Sequence, residues 1–231
     1  MLAIVPGGFE EREVENGVEL VAYVDGEIEE LLRAAFGEVA AEPVEPGWED
    51  RWRTFHRSVR AGGIWIGPPW EQPPAGEPAV VVDPGRAFGT GAHPTTRLCV
   101  DLLARPEPGS VLDAGCGSGV VAVAAARLGF EPVFAVDVDE AAVEVARETA
   151  RANGVKVDVT KGDVLRDELP AVDLVVANIE LRAVEELLAR RAAARAITSG
   201  YLASERLRAP DWRTVDRLEL DGWAADALEA L

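Results

Sequence analysis

The stretch Val111-Leu-Asp-Ala-Gly-Cys-Gly-Ser-Gly119 constrains the chain most tightly. Val111 and Leu112 close an apolar run that reads as a buried strand, and Asp113 sits at its end. Gly115, Gly117 and Gly119 then permit a tight turn and a close approach of backbone to a ligand, where a Cβ would collide. An apolar segment from Val120 to Leu128 reads as the helix that follows. Strand, glycine turn and helix in succession predict a doubly wound α/β sheet with a nucleotide at the turn, unless the turn is purely structural. The spacing is GxGxG, with an acid two residues before the first glycine, rather than the GxGxxG of dinucleotide sites. Asp113 can receive a cationic ligand group such as an ammonium.

The rhythm continues downstream. Residues 132–137 form a second apolar run ending in Asp137, whose carboxylate can bond both hydroxyls of a ribose. Asp139 is placed to cap a helix that ends at Asn153-Gly154. A third strand is expected at Val157–Val159, followed by Asp163, where an acid could meet an adenine amino group. Residues 172–179 form a fourth strand, whose apolar run implies burial on both faces. Asn178 falls at its carboxyl end, where open α/β sheets bind ligands; its amide can orient a methyl acceptor or the cofactor, or simply make a turn. A long helix over Glu180–Arg195, a fifth strand over Ala196–Leu202 and a final hairpin turning at Asp221-Gly222 complete the series. The last eight residues are compatible with strand or helix.

Upstream, Phe88, Gly89, Thr90 and Gly91 form an irregular loop that leads through Pro94 into a helix carrying Thr95, Thr96 and Arg97. Pro94 suits a first helical turn, and the helix N-terminus offers N–H groups and hydroxyls to a carboxylate. The loop is either structural or a lid over a site. His93 within it is a candidate base with a structural alternative. Before it, Val80-Val-Val82 and Ile64-Trp-Ile66 read as strands separated by a proline-rich loop. Trp48, Trp52 and Phe55 share one face of an expected connecting helix over 46–57. Residues 1–45 read as a small α+β unit: two strands around Asn16-Gly17, a helix ending at Gly37, and a short strand over Val39–Val44. The unit is a docking module or a stabilising appendage. The expected division is therefore 1–45, a connecting segment 46–77, and a catalytic domain 78–231.

These motifs occur together in one family. The chain resembles the bacterial lysine methyltransferase of large-ribosomal-subunit protein eleven. The resemblance rests on Ala87-Phe-Gly-Thr-Gly91 with His93-Pro-Thr-Thr96, on Asp113 to Gly119, on Val136-Asp-Val-Asp139 and on Val175-Val-Ala-Asn178. It is strongest over 78–202. It implies a Rossmann-like class I S-adenosylmethionine-dependent methyltransferase, with a mostly parallel doubly wound sheet and an antiparallel last strand. It also implies that Thr96, Gly115, Asp137 and Asn178 contact S-adenosylmethionine, and that Phe88, Gly89 and Thr90 lie over it. With Asp113, Gly117, Gly119 and Asp163 these make the expected cofactor site, with Asn178 also positioning the acceptor. The family's N-terminal domain looks like a fuller βαββαβ unit, and residues 1–45 are shorter by a strand and a helix. An NAD-dependent dehydrogenase and a cofactor-binding protein without turnover are the alternatives, as is another protein or small-molecule acceptor.

Charge narrows the partners. A formal net charge of −18 repels phosphate backbones, so direct nucleic-acid binding is not expected; it would attract a basic protein, or marks simply a soluble acidic enzyme. The resemblance implies that a basic substrate is a ribosomal protein. The two cysteines, Cys99 and Cys116, have no metal-ligand spacing, and no metal is expected. No apolar run reaches the roughly 18 residues of a membrane span, and the opening residues lack the pattern of a signal peptide. A cytoplasmic monomer is the expectation.

Overall fold

The computed structural model describes residues 10–14, 17–21, 26–37, 39–40, 56–84 and 91–231. The chain divides into two compact units, residues 1–50 and 51–231. In the first, β1 (Glu10–Val14) and β2 (Gly17–Val21) pair antiparallel. Gly17 is already paired with Val14, so it belongs to the ladder rather than to the turn. Helix α1 (Gly26–Phe36) follows, and Gly37 closes it at φ 84° with its N–H on the Arg33 carbonyl at 3.0 Å. Of the expected apolar face only Leu32 is buried; Leu31 and Phe36 are exposed. Residues 39 and 40 carry no strand, and 41–44 lie outside the described residues, as does 46–55 of the expected connecting helix.

The second unit holds two sheets. The smaller has the order β3 (Val59–Ala61), β4 (Ile64–Gly67), β5 (Ala79–Val81). Ile64, Ile66, Val80 and Val82 lie in one buried cluster with Leu98, Val100 and Val123. The second unit thus begins before the expected boundary: the segment 46–77 was expected as a connection, yet its Ala61, Ile64 and Ile66 are part of the core of unit 51–231.

The larger sheet has seven strands: β6 (Val111–Ala114), β7 (Val133–Asp137), β8 (Asp158–Lys161), β9 (Leu174–Asn178), β10 (Arg195–Leu202), β11 (Trp212–Leu220) and β12 (Trp223–Ala230). Their order is β11-β12-β10-β9-β6-β7-β8. Strands β10, β9, β6, β7 and β8 run parallel, and β12 enters antiparallel between β10 and β11. The doubly wound sheet with an antiparallel last strand is thus as expected. Helices α2 (Pro94–Leu103), α3 (Val120–Arg127) and α4 (Glu140–Ala152) cover one face, and α5 (Leu181–Ala189) packs on the other through Val184, Leu187 and Leu188. Asp139 caps α4 as its sequence position suggested, accepting from Ala141 N at 3.0 Å.

Two local expectations are corrected, and one left open is decided. The third strand begins at Asp158 and runs to Lys161, because its pairing with Phe134–Asp137 extends past Val159. Helix α5 stops at Ala189, well short of Arg195. The buried Trp212 indole donates to the Leu188 carbonyl at 3.0 Å, and Arg191 turns the chain at φ 51° so that β10 can start at Arg195. The last residues are strand, not helix, despite their Ala, Leu and Glu. Pairing on both edges and burial of Ala224, Ala225 and Leu228 override weak helical propensity.

One buried amide fastens the small sheet to α4. Asn153, the C-cap of α4, accepts from Val81 N at 2.8 Å and donates to the carbonyls of Val81 at 2.7 Å and Thr149 at 2.8 Å. Arg127 adds bonds to the carbonyls of Ala79 and Asn153. Asn153→Ala strands those backbone groups and is expected to cost about 2 to 4 kcal/mol in denaturant unfolding. Asn153→Asp fares little better, since a carboxylate cannot donate to the two carbonyls.

Candidate functional site

The glycine turn has the shape its sequence demands. Gly115, Gly117 and Gly119 have φ of 76°, 51° and 76°, a left-handed region costly for any residue with a Cβ. The neighbours differ from expectation. A Cβ on Gly115 would strike Cγ2 of Ile179, and one on Gly119 would stand 2.9 Å from Cβ and 3.0 Å from Cα of Ala146. Gly119 thus serves close packing of α3 on α4 and does not line the cleft; Gly115 and Gly117 do. Gly119, as N-cap of α3, has no side chain to cap it. Asp113 supplies the missing cap from the strand, accepting from Ala122 N at 3.0 Å.

Five of the expected site residues converge. Thr96, Asp113, Gly115, Gly117 and Asn178 line one cleft at the carboxyl edge of β6 and β9, together with Cys116, Val120 and Val121. Thr96 and Asp113 are buried, at 1% and 3% exposure. The Asn178 amide nitrogen reaches Thr96 Oγ1 at 3.5 Å, a long contact that joins the end of β9 to the first turn of α2. Burial pushes the Asp113 carboxyl up to about 7, the Ala122 N–H partly offsetting it and the Asp137 charge adding to it. The same burial drives the Cys99 and Cys116 thiols upward, so neither is a thiolate at neutral pH.

Asp137 stands beside the cleft, tied to it through the turn. Its carboxylate accepts from Gly117 N at 2.8 Å and from Asp139 N at 3.0 Å. Asp163 is brought near the end of β7 by the Gly162 N–H on the Asp137 carbonyl at 2.9 Å. Its own carboxylate accepts from Leu165 N and pairs with Arg166, and it does not line the cleft. Phe88, Gly89 and Thr90 fall outside the described residues. His93 has the structural role: it is the N-cap of α2, its Nδ1 lies 2.8 Å from Thr95 Oγ1, and its ring packs edge-on against Trp223 with centroids 5.0 Å apart. Burial lowers its basicity.

Val120, Val121 and Cys116 were not anticipated as lining. Their signal was positional: the first turn of a helix after a glycine turn faces the ligand side. A larger cavity of about 350 Å³ lies elsewhere, between Arg206, Leu207, Thr214, Arg217, Glu219 and Asp226. It holds none of the expected site residues. Among the described residues no cluster of histidine, cysteine or carboxylate side chains is placed to hold a metal, and no helix is long and apolar enough to cross a membrane.

The order and chemistry of these motifs match a known group: residues 9–223 fit the profile of the ribosomal protein L11 methyltransferase (PrmA) family. The chain belongs to that family. Similar curated relatives of this name include those of Symbiobacterium thermophilum, 39% identical over 197 residues, and of Exiguobacterium sp., 40% identical over 204. These alignments cover 78% and 81% of this chain and 65% of each relative. The relative from Caldanaerobacter subterraneus is 39% identical over 154 residues, 64% of this chain and 50% of its own length. The chain therefore spans only about half to two thirds of the L11 methyltransferases it matches. Among solved structures, the ribosomal protein L11 methylase of Lactobacillus delbrueckii subsp. bulgaricus superposes with a TM-score of 0.65 at 27% identity, covering 75% of this chain and 98% of that one. A tRNA (uracil-54, C5)-methyltransferase of Pyrococcus abyssi shares the fold at a TM-score of 0.56 and 17% identity, over 76% of this chain and 44% of its own.

Proposed function

We propose that this protein is an S-adenosylmethionine-dependent methyltransferase of ribosomal protein L11, acting on lysine amino groups. The observation that carries the reading is the convergence of Thr96, Asp113, Gly115, Gly117 and Asn178 on one cleft at the carboxyl edge of the parallel strands. The chemistry of the donors and acceptors fits the cofactor. Asp113 offers a carboxylate oxygen to the ammonium of the methionine moiety, and Thr96 with the first turn of α2 offers hydroxyl and N–H donors to its carboxylate. Asp137 keeps lone pairs for the ribose hydroxyls while the Gly117 and Asp139 N–H groups hold it in orientation. When bound, the sulfonium supplies an electrophilic methyl group.

The chain's own residues then have two tasks. Asn178 sits at the acceptor side, where its carboxamide oxygen can receive a hydrogen bond from the incoming amine. Val120, Val121 and Cys116 wall the cleft with apolar surface and exclude water, which favours an uncharged nucleophile. A free lysine near pKa 10.4 costs about 4 to 5 kcal/mol to deprotonate at neutral pH. Alignment supplies the remainder. His93 is not placed as the base, since its ring caps α2. The acidic surface favours a basic protein as acceptor.

Titration calorimetry with S-adenosylmethionine and with NAD tests the cofactor: tight binding of NAD alone contradicts the proposal. The same experiment across pH reads Asp113. Asp113 is half protonated near pH 7 without ligand, and an ammonium partner favours its ionised form. Affinity is therefore expected to rise with pH by up to about tenfold per unit below 7 and to level off above it. Asp113→Asn flattens that profile. The sign for folding is opposite. The free protein binds this proton more tightly than the unfolded chain, so the stability from it is full below about pH 4 and is lost as pH rises through about 7.

A further inference from the structure

Strand β10 is irregular beside Asn178, a residue that lines the cleft. Ser199 pairs with Asn178 of β9, and the register against β12 shifts between Ser199 and Tyr201, leaving Gly200 as a bulge with φ +99°. A Cβ on Gly200 would overlap the carbonyl oxygen of Ile179 and stand 2.7 Å from its carbonyl carbon and 2.9 Å from its amide nitrogen. The Ile179 peptide thus rests on a bare α-carbon. From the other direction the Ile179 side chain fills the space that a Cβ on Gly115 would take. The residue directly after Asn178 is therefore wedged between the bulge and the glycine turn.

The bulge is braced in turn. Tyr201, 1% exposed, donates to Asp226 Oδ2 at 2.8 Å and lies 2.8 Å from Thr198 Oγ1. Arg217 donates to the same Asp226 oxygen at 2.8 Å and to the Ala203 carbonyl at 3.0 Å. Ser199 Oγ donates to the Ala224 carbonyl at 2.7 Å. Four buried polar groups in adjacent strands, all partnered, fix one geometry rather than several.

We infer that Gly200 is a positioning residue: its bulge, held by the Tyr201–Asp226 brace, sets the Ile179 peptide and through it the Asn178 carboxamide at the acceptor side of the cleft. This rests on the methyltransferase reading for its effect on turnover, but not for its effect on Asn178. Gly200 touches no reacting atom; it acts through the backbone that follows Asn178.

The test uses the full chain with Gly200→Ala. The side-chain amide resonances of Asn178 are expected to move. Turnover with L11 falls roughly 10- to 100-fold, the scale of a sub-ångström to ångström misplacement, while S-adenosylmethionine affinity changes less than about threefold. In an Asn178→Ala background the same substitution adds no further loss in turnover, because the two act as one unit. Tyr201→Phe, which keeps the glycine and removes the brace, shifts the Asn178 amide in the same way with a smaller loss, and carries the test if Gly200→Ala does not fold. Unmoved Asn178 resonances, or an equal loss in the Asn178→Ala background, overturn the inference. Absence of methyl transfer by the native protein overturns the proposed function instead, and the amide resonances still decide the role of Gly200.

Discussion

Replacing Asp137 with alanine is expected to weaken S-adenosylmethionine binding about 100-fold or more while leaving the protein folded. Asp137 carries two kinds of bond. Toward the protein it accepts the Gly117 and Asp139 N–H groups at 2.8 and 3.0 Å. Toward the ligand it presents its remaining lone pairs to ribose hydroxyls under the proposed function. Hydrogen bonds to a charged acceptor are worth about 1.5 to 3 kcal/mol each. Losing one or two of them, with a loosened glycine turn, corresponds to roughly two decades in affinity. The residue is only part-buried and the freed N–H groups can reach water, so the stability cost is smaller than the binding cost. Asp137→Asn, which keeps an acceptor oxygen but not the charge, falls between. Calorimetry on both variants orders them; equal affinities for wild type and Asp137→Ala contradict the role.

Gly119→Ala is the second large effect, and it acts on the fold. Its φ of 76° costs an L-residue about 1 to 2 kcal/mol. The added methyl meets the backbone Cα of Ala146 at 3.0 Å, where α3 and α4 cannot separate without disturbing Val143 and Ala150 in the core. Overpacking of this kind costs about 1 to 3 kcal/mol. The sum predicts a melting temperature lowered by roughly 5 to 15 °C. Gly76→Ala is the control. Its φ is 80°, yet no atom lies within 4 Å of the new Cβ, so only the backbone cost of about 1 to 2 kcal/mol applies.

Much of the candidate cleft was legible because the residues at and beside it stand at ends of strands. A parallel strand announces itself by an apolar run, and in an open α/β sheet its last residue faces the ligand. Asp113, Asp137 and Asn178 were readable on that ground alone, and Thr96 from the proline-led start of a helix. What escaped depends on contacts distant in sequence. The clearance at Gly115 is set by Ile179, and that at Gly119 by Ala146; no local pattern distinguishes these from a glycine bared for a ligand. Asn153 looked like an ordinary helix end until Val81 came alongside. Helix α5 was drawn too long because its periodicity continues past Ala189, whereas a tryptophan from β11 takes a carbonyl of its last turn. The C-terminal residues have helical composition but lie between two strands that dictate their pairing. The proline-rich punctuation after Ile66 resembles a linker, while burial of Ile64 and Ile66 makes their strand part of the core of the second unit.

Under the proposed function this cleft transfers methyl groups to a ribosomal protein. The most direct measurement is incubation of the purified protein with radiolabelled S-adenosylmethionine and a mixture of unmodified ribosomal proteins, beside Asp137→Ala under the same conditions. Label is predicted to enter L11, on lysine amino groups, and to fall to background with Asp137→Ala. Label found only on RNA or small molecules, or label on L11 that survives Asp137→Ala, would contradict the account.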